Sequence, residues 1–170
     1  LACAPSHFPG LGGASADTDV GPASVGLDAA TLAGRDLLPF QAAFDAGAPA
    51  VVVSTAFYSA YDPVTPAAMT PAITTDLLRD DLGFKGVAIS DDLTGGAVTA
   101  VNTPGDAAVR AIAAGTDLVQ VSDPGKVEDV RAALIAAVED GTLDPERLRE
   151  AAGRVEELKR GLSGTEPNGK

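Results

Sequence analysis

Ser90, Asp91 and Asp92 stand together after a short apolar run, residues 87–89, and are followed by Leu93, Thr94 and two glycines. An ionised carboxylate fixed at a strand end can attack an electrophilic carbon and form a covalent ester, provided another group protonates the leaving atom. The bland alternative is capping, since Ser and Asp ahead of a helix accept hydrogen bonds from its first N–H groups. The other groups able to join such chemistry lie early in the chain. Ser6 and His7 open the segment "SHFPGLGGASADTD", and Asp17 and Asp19 close it. His7 is the single histidine. Beside Phe8 and Pro9 it suits either a structural role or, as a neutral imidazole, a contact to a ligand hydroxyl. Asp17 and Asp19, two apart, could share a proton, and a carboxyl becomes a general acid when burial or a nearby anion raises its pKa. The same pair suits turn hydrogen bonds in a glycine-rich loop, and both roles stay open at this level.

The elements that must position these groups are legible as alternating patterns. Four short apolar runs, residues 1–4, 50–54, 86–90 and 117–121, predict buried parallel strands. Helical composition fills the intervals: residues 28–34 and 39–46, then a helix started by Thr70 and Pro71 and running to about Leu82. Thr103 with Pro104 starts another that Gly115 ends. Ser122 or Asp123 opens one reaching about Glu139, and Asp144 with Pro145 opens the last. The fold class is therefore α/β with a parallel sheet. The polar residues cluster past the C-terminal ends of the strands, the edge that carries ligands in (β/α)8 barrels and doubly wound sheets. Residues 8–26 are expected there as a long loop without secondary structure.

Composition narrows the function classes. The chain has 170 residues, 45% hydrophobic and 4% aromatic with no Trp, enough for one domain with an aliphatic core. Its net charge of −12 offers no basic patch to a nucleic acid, so no nucleic-acid partner is expected. The single cysteine, Cys3, excludes an internal disulfide and is expected to be a small buried residue. No His/Cys/Glu cluster suggests a metal, and the Asp-rich loop lacks calcium-loop spacing. The glycines of "FPGLGGAS" run into an acidic, turn-rich stretch rather than a helix, which argues against a phosphate-binding loop. No apolar run approaches the ~20 residues of a membrane span.

The segment "TTDLLRDDLGFKGVAISDDLTGGAV" resembles the nucleophile region of glycoside hydrolase family 3. That region has two apolar residues, a basic and an acidic one, then Gly, a buried strand and Ser/Thr-Asp. Here these are Leu77, Leu78, Arg79, Asp81, Gly86, residues 87–89, Ser90 and Asp91. "SHFPG" is similar to the family's "KHFPG" loop, and "RDLLPFQAAFDAGAPAVVVS" and "AAVRAIAAGTDLVQVSDPGKV" match its later repeats in the family's order. "SDDL", where many β-glucosidases have "SDW", points to the β-N-acetylhexosaminidase-like branch.

The resemblance implies a (β/α)8 barrel and a retaining glycosidase, without a cofactor, that releases terminal β-linked N-acetylglucosamine, including from cell-wall fragments. By family position Asp91 is the nucleophile and Asp92 its support. His7 contacts sugar hydroxyls, and Ser6 occupies the family's lysine position in the same sugar-binding pair. The branch places an Asp-His acid/base dyad in a "G-D-S-H" type sequence. Its counterparts here are Ala16, Asp17, Thr18 and Asp19, so Asp19 stands where the catalytic histidine would, with Asp17 as dyad partner. Ser6 and Asp19 also support the alternative of a non-catalytic sugar-binding relative or inactive fragment. A β-glucosidase-type specificity is a further alternative.

The barrel needs eight strands. With four predicted, residues 1–163 are expected to be its C-terminal half, the last four βα units, and residues 164–170 a disordered tail. A half barrel has open strand edges and is expected to self-associate. The compartment is left open between bacterial cytoplasm and cell envelope, with no signal peptide expected within the chain.

Overall fold

Ala-Val-Val-Val and Val-Ala-Ile-Ser are small or β-branched, too short for helices and apolar on both faces, the composition of strands covered on two sides. In the computed structural model, which describes residues 3–163, both are central strands. In chain order the strands are β1 (Ser24–Val25), β2 (Ala50–Val53), β3 (Phe57–Tyr58), β4 (Asp62–Pro66), β5 (Val87–Asp92) and β6 (Leu118–Gln120). The helices are α1 (Ala29–Thr31), α2 (Leu38–Asp45), α3 (Gly96–Thr99), α4 (Pro104–Ala114), α5 (Val127–Glu139) and α6 (Pro145–Ser163). Wide-turn π-helical stretches follow α1 over Leu32–Asp36 and precede β5 over Ala72–Asp81.

The main sheet has the order β2-β5-β6, all parallel. Residues 5–8 extend it on the far side of β2. There Phe8 N–H donates to the Val52 carbonyl at 2.8 Å, Val52 N–H to that of Pro5 at 2.9 Å, and Ser54 N–H to that of Phe8 at 2.8 Å. The first strand was expected at residues 1–4; Leu1 and Ala2 lie outside the described residues, and Cys3 and Ala4 are not in a strand. Cys3 is exposed, contrary to the expectation of burial, because the chain joins the sheet only from Pro5 onward. The tail 164–170 also lies outside the described residues.

Residues 8–26 are not structureless. They contain β1, and Ala14 bridges Val25. β1 pairs in parallel with β3, and β3 antiparallel with β4, forming a second small sheet that the sequence patterns did not indicate. Gly10 explains one tight point of this region. Its φ of +124° is open to glycine, and a Cβ there would stand 2.5 Å from Cβ of Asp36. The buried Tyr58 hydroxyl donates to its carbonyl at 3.1 Å, and burial pushes that phenol up to about 12.

The helices follow their punctuation. The Thr103 hydroxyl accepts from Asp106 N–H and starts α4; Asp144 accepts from Glu146 N–H at the start of α6. Thr70 behaves differently: its hydroxyl donates back to the Thr65 and Pro66 carbonyls instead of capping the helix that follows. The core falls into clusters. One cluster, around Phe8, Phe40, Val51, Val53, Ile73 and Leu78, lies beneath α2 and the 72–81 helix. Others join α4 and α5 through Ala108, Ala111, Val130 and Leu143. Phe8 and Phe40 meet edge to face at 5.3 Å, so the "HFPG" segment is anchored through Phe8, whose burial contributes about 1.5–3 kcal/mol.

Candidate active site

β5 was expected to stop at residue 90, with the two acids beyond it. It continues to Asp92, which pairs with Gln120 after a register shift. Side chains alternate along a strand, so Ser90 and Asp91 face opposite ways. The fully buried Ser90 hydroxyl accepts from Gln120 N–H at 3.1 Å, meeting a donor of β6 where the ladder slips. Asp91 faces the other side, is 9% exposed, and lies at the C-terminal edge of the sheet.

Its carboxylate is held by three parts of the chain. Oδ1 accepts from Asp92 N–H at 2.9 Å. Oδ2 accepts from the Thr55 hydroxyl at 3.3 Å and from that of Thr18 at 3.5 Å. Nε2 of the half-buried His7 is 3.9 Å from Oδ1. Residues 5–8 lie beside β2, and Thr55 follows β2, so two neighbouring strand ends converge on the acid delivered by β5.

Asp92 turns away to close the following turn. Its Oδ1 accepts from Thr94 N–H at 2.9 Å and Ser122 N–H at 3.0 Å, and both its oxygens accept from the Thr94 hydroxyl. Partial burial pushes this carboxyl up, but the hydrogen bonds from Thr94 and Ser122 outweigh it and hold it below the ordinary aspartate value. It ties the end of β5 to the chain leaving β6.

The loop with the other two candidates is docked through its backbone. The Asp17 carboxylate accepts from Asp19 N–H at 3.0 Å, a local turn of the kind Asp favours. The Thr18 and Asp19 carbonyls accept from Ala97 and Gly96 N–H, each at 2.9 Å. Asp17 and Asp19 are both exposed, and among the described residues no hydrogen bond or ion pair joins either to Asp91. Ser6, next to His7, is exposed. Thus Asp91 and His7 are brought together directly, and the Asp17–Asp19 pair reaches Asp91 only through Thr18 between them.

Sequence reasoning missed Thr18, Thr55 and Gly96. Thr18 appeared only as a spacer in "ADTD", and Thr55 as a polar residue after a strand. A Cβ on Gly96 would stand 2.3 Å from the Val20 carbonyl oxygen, so the loop's close docking requires glycine. Gly96→Ala is expected to push the 17–21 loop off α3 and cost about 1–3 kcal/mol, read as a fall in the urea midpoint.

A cavity of about 500 Å³ lies at the opposite end of β5, lined by Gly47, Pro49, Lys85, Gly86, Val87 and Arg154 among others; no residue around Asp91 lines it. Among the described residues no His, Cys, Asp and Glu side chains group as a metal site, and no helix is long and apolar enough to cross a membrane.

A protein-family model described as the glycosyl hydrolase family 3 N-terminal domain matches residues 2–158. The chain belongs to glycosyl hydrolase family 3. It is 35% identical over 157 residues to a β-hexosaminidase of Stenotrophomonas maltophilia, covering 91% of this chain and 44% of that protein. Among solved structures, a family 3 β-N-acetylglucosaminidase from a Paenibacillus species superposes with a TM-score of 0.92 at 31% identity, covering 100% of this chain and 33% of that one. A β-N-acetylhexosaminidase from Beutenbergia cavernae gives 0.81 at 39% identity, covering 91% and 46%. This family 3 chain thus spans about half the length, or less, of the curated relatives it matches. Asp91 and the groups around it lie within the stretch that matches the family domain.

Proposed function

We propose that this chain carries the nucleophile half of a retaining β-N-acetylhexosaminidase, and that Asp91 is the nucleophile. The observation that carries the reading is the carboxylate itself: nearly buried at the C-terminal edge of a parallel sheet, fixed by three donors, with His7 alongside. Fixing the attacking group in advance lowers the entropy cost of reaching the anomeric carbon. One oxygen of Asp91 attacks that carbon as the bond to the leaving oxygen breaks. Asp19, with Asp17 as its neighbour, gives the leaving oxygen a proton. A glycosyl ester of Asp91 results. Water then attacks the same carbon, Asp19 takes its proton, and the ester releases the sugar with its original configuration.

Support for Asp19 is positional. It follows Thr18, whose hydroxyl reaches Asp91, on the loop where the family's acid/base dyad stands. His7 lies beside Asp91, and Ser6 precedes it in the 5–8 stretch that runs along β2; both serve as hydroxyl contacts to a sugar seated over Asp91. The substrate proposed is a terminal β-linked N-acetylglucosaminide, including peptidoglycan fragments.

The architecture proposed is half of an eight-stranded barrel. Among the described residues, residues 5–8 and β6 have no strand on their outer edges, and Leu118 of β6 is 41% exposed. Such edges pair readily, which supports association with complementary strands or with a second copy.

The test is product stereochemistry. Proton NMR during the first turnovers of nitrophenyl N-acetyl-β-glucosaminide should show the β-anomer of N-acetylglucosamine before mutarotation. The α-anomer first, or no hydrolysis by the protein that carries this chain, would overturn the reading.

A further inference from the structure

We propose that Thr55 and Thr18 are positioning residues for Asp91, clamping its Oδ2 so that the carboxylate keeps one orientation during attack; this rests on the reading of Asp91 as nucleophile. Both threonines are almost wholly buried, at 2% and 4% exposure. A buried hydroxyl without a partner costs about 1–3 kcal/mol, so packing alone would favour the isosteric valine. The other buried threonines satisfy their hydroxyls on main-chain carbonyls. Thr70 donates to Thr65 and Pro66, Thr74 to Thr70 and Ala114, and Thr116 to Ala68. Thr55 and Thr18 differ: each is aimed at the Asp91 carboxylate, from a different segment.

The geometry divides the work on the carboxylate. Oδ1 is held by the N–H of the next residue, a bond that fixes position along β5 and leaves rotation of the group less constrained. The hydroxyls approach the second oxygen from the end of β2 and from the 17–21 loop, so they oppose that rotation. At 3.3 and 3.5 Å both contacts are longer than an ideal O–H···O bond. Catalytic hydrogen bonds are often long without substrate and tighten in its complex. The backbone bond from Ala97 N–H to the Thr18 carbonyl docks against α3 the loop that carries both Thr18 and Asp19. The clamp therefore joins the nucleophile to the loop of the proposed acid.

The test compares Thr55→Val, which keeps the shape and removes the hydroxyl, with Thr55→Ser, which keeps the hydroxyl and removes the methyl. In the protein that carries this chain, Thr55→Val should lower kcat on nitrophenyl N-acetyl-β-glucosaminide by about 10–100-fold and leave KM within about twofold. Thr55→Ser should stay within about threefold of wild type. Thr18→Val should act in the same direction, more weakly, across its longer contact. Equal losses for Val and Ser, or a wild-type kcat for Thr55→Val, would overturn the clamp.

A second measurement does not need turnover. The change in Tm caused by Thr55→Val should differ by several degrees between the wild-type and the Asp91→Ala background. The same change in both would overturn the contact. If Asp91→Asn were as active as wild type, the nucleophile reading would fail on its own, and the two Tm shifts would still decide whether the hydroxyl engages the carboxylate.

Discussion

Asp91→Asn is expected to lower kcat on a nitrophenyl N-acetyl-β-glucosaminide by at least about 10³-fold, with Tm changed by only a few degrees. Asparagine matches aspartate in size, and its amide oxygen can still accept from Asp92 N–H or the Thr55 hydroxyl. What it loses is the negative charge and the lone pair that forms the ester, so the loss falls on the chemical step. The Asp19 role makes a contrasting demand. A nitrophenolate leaves without a proton, so Asp19→Asn should spare its release in the first turnover, slow hydrolysis of the ester that follows, and slow the first step for a substrate with an alkyl or sugar leaving group. If Asp91→Asn retained wild-type kcat, the nucleophile would have to be sought elsewhere. If Asp19→Asn slowed the first-turnover release of both leaving groups alike, the acid would have to come from another residue.

The position of Asp91 at the end of a buried strand was legible in the sequence because its neighbours form a contiguous pattern, a buried strand, then Ser-Asp-Asp, then glycines; that pattern alone suits capping equally, and the nucleophile role proposed for it came from the family resemblance. The parallel strands over residues 50–53, 87–92 and 118–120 were legible for the same reason, since short β-branched runs between capped helices leave few alternatives. The second sheet was not. Strands of two residues such as Ser24–Val25 and Phe57–Tyr58 carry no periodicity, and their pairing exists only once the fold brings them together. Cys3 misled because an apolar neighbourhood in sequence is not burial; the chain passes residue 4 before it meets β2.

The threonines of the site were hidden by distance. Thr18 and Thr55 lie 73 and 36 positions from Asp91, and nothing local distinguishes them from loop hydroxyls. The two aspartates of "ADTD" drew attention as a dyad, whereas the residue between them is the one that touches the carboxylate. A residue-type search finds groups that could do chemistry. It does not find groups whose task is to hold another still, because those are defined by contact.

Asp117 is the clearest example of that limit, and replacing it is expected to have the largest effect on stability. In sequence it was only the first residue of the predicted fourth strand. In the structure its side chain is wholly buried and accepts from Arg79 at 2.6 Å, Arg147 at 2.7 Å, Arg154 at 2.9 Å and the Ala88 N–H at 3.0 Å. One carboxylate thus gathers three guanidinium groups from the 72–81 helix and from α6. Arg79 shows the balance of forces: burial pulls its pKa down, the Asp117 charge opposes that, and the fall prevails. Arg147 and Arg154 keep a second anion in the half-exposed Glu150, but among the described residues Arg79 has none beyond Asp117; it otherwise donates to the Phe84 and Gly86 carbonyls and lies 5.3 Å from the Phe84 ring centre. Asp117→Ala would leave a buried cation without its counter-charge and should cost about 3–5 kcal/mol, a large share of the 5–15 kcal/mol that holds a typical domain folded. Urea unfolding should show a lower midpoint with an unchanged slope, and Arg79→Met should recover part of the loss by removing the stranded charge. A midpoint within error of wild type would show that the three arginines find water instead. Asp117 precedes β6 and contacts Ala88, near the start of β5, whereas Asp91 lies near the end of that strand. The fraction of Asp117→Ala that remains folded should therefore turn over substrate at the wild-type kcat, because the cluster anchors the helices and has no contact with the nucleophile.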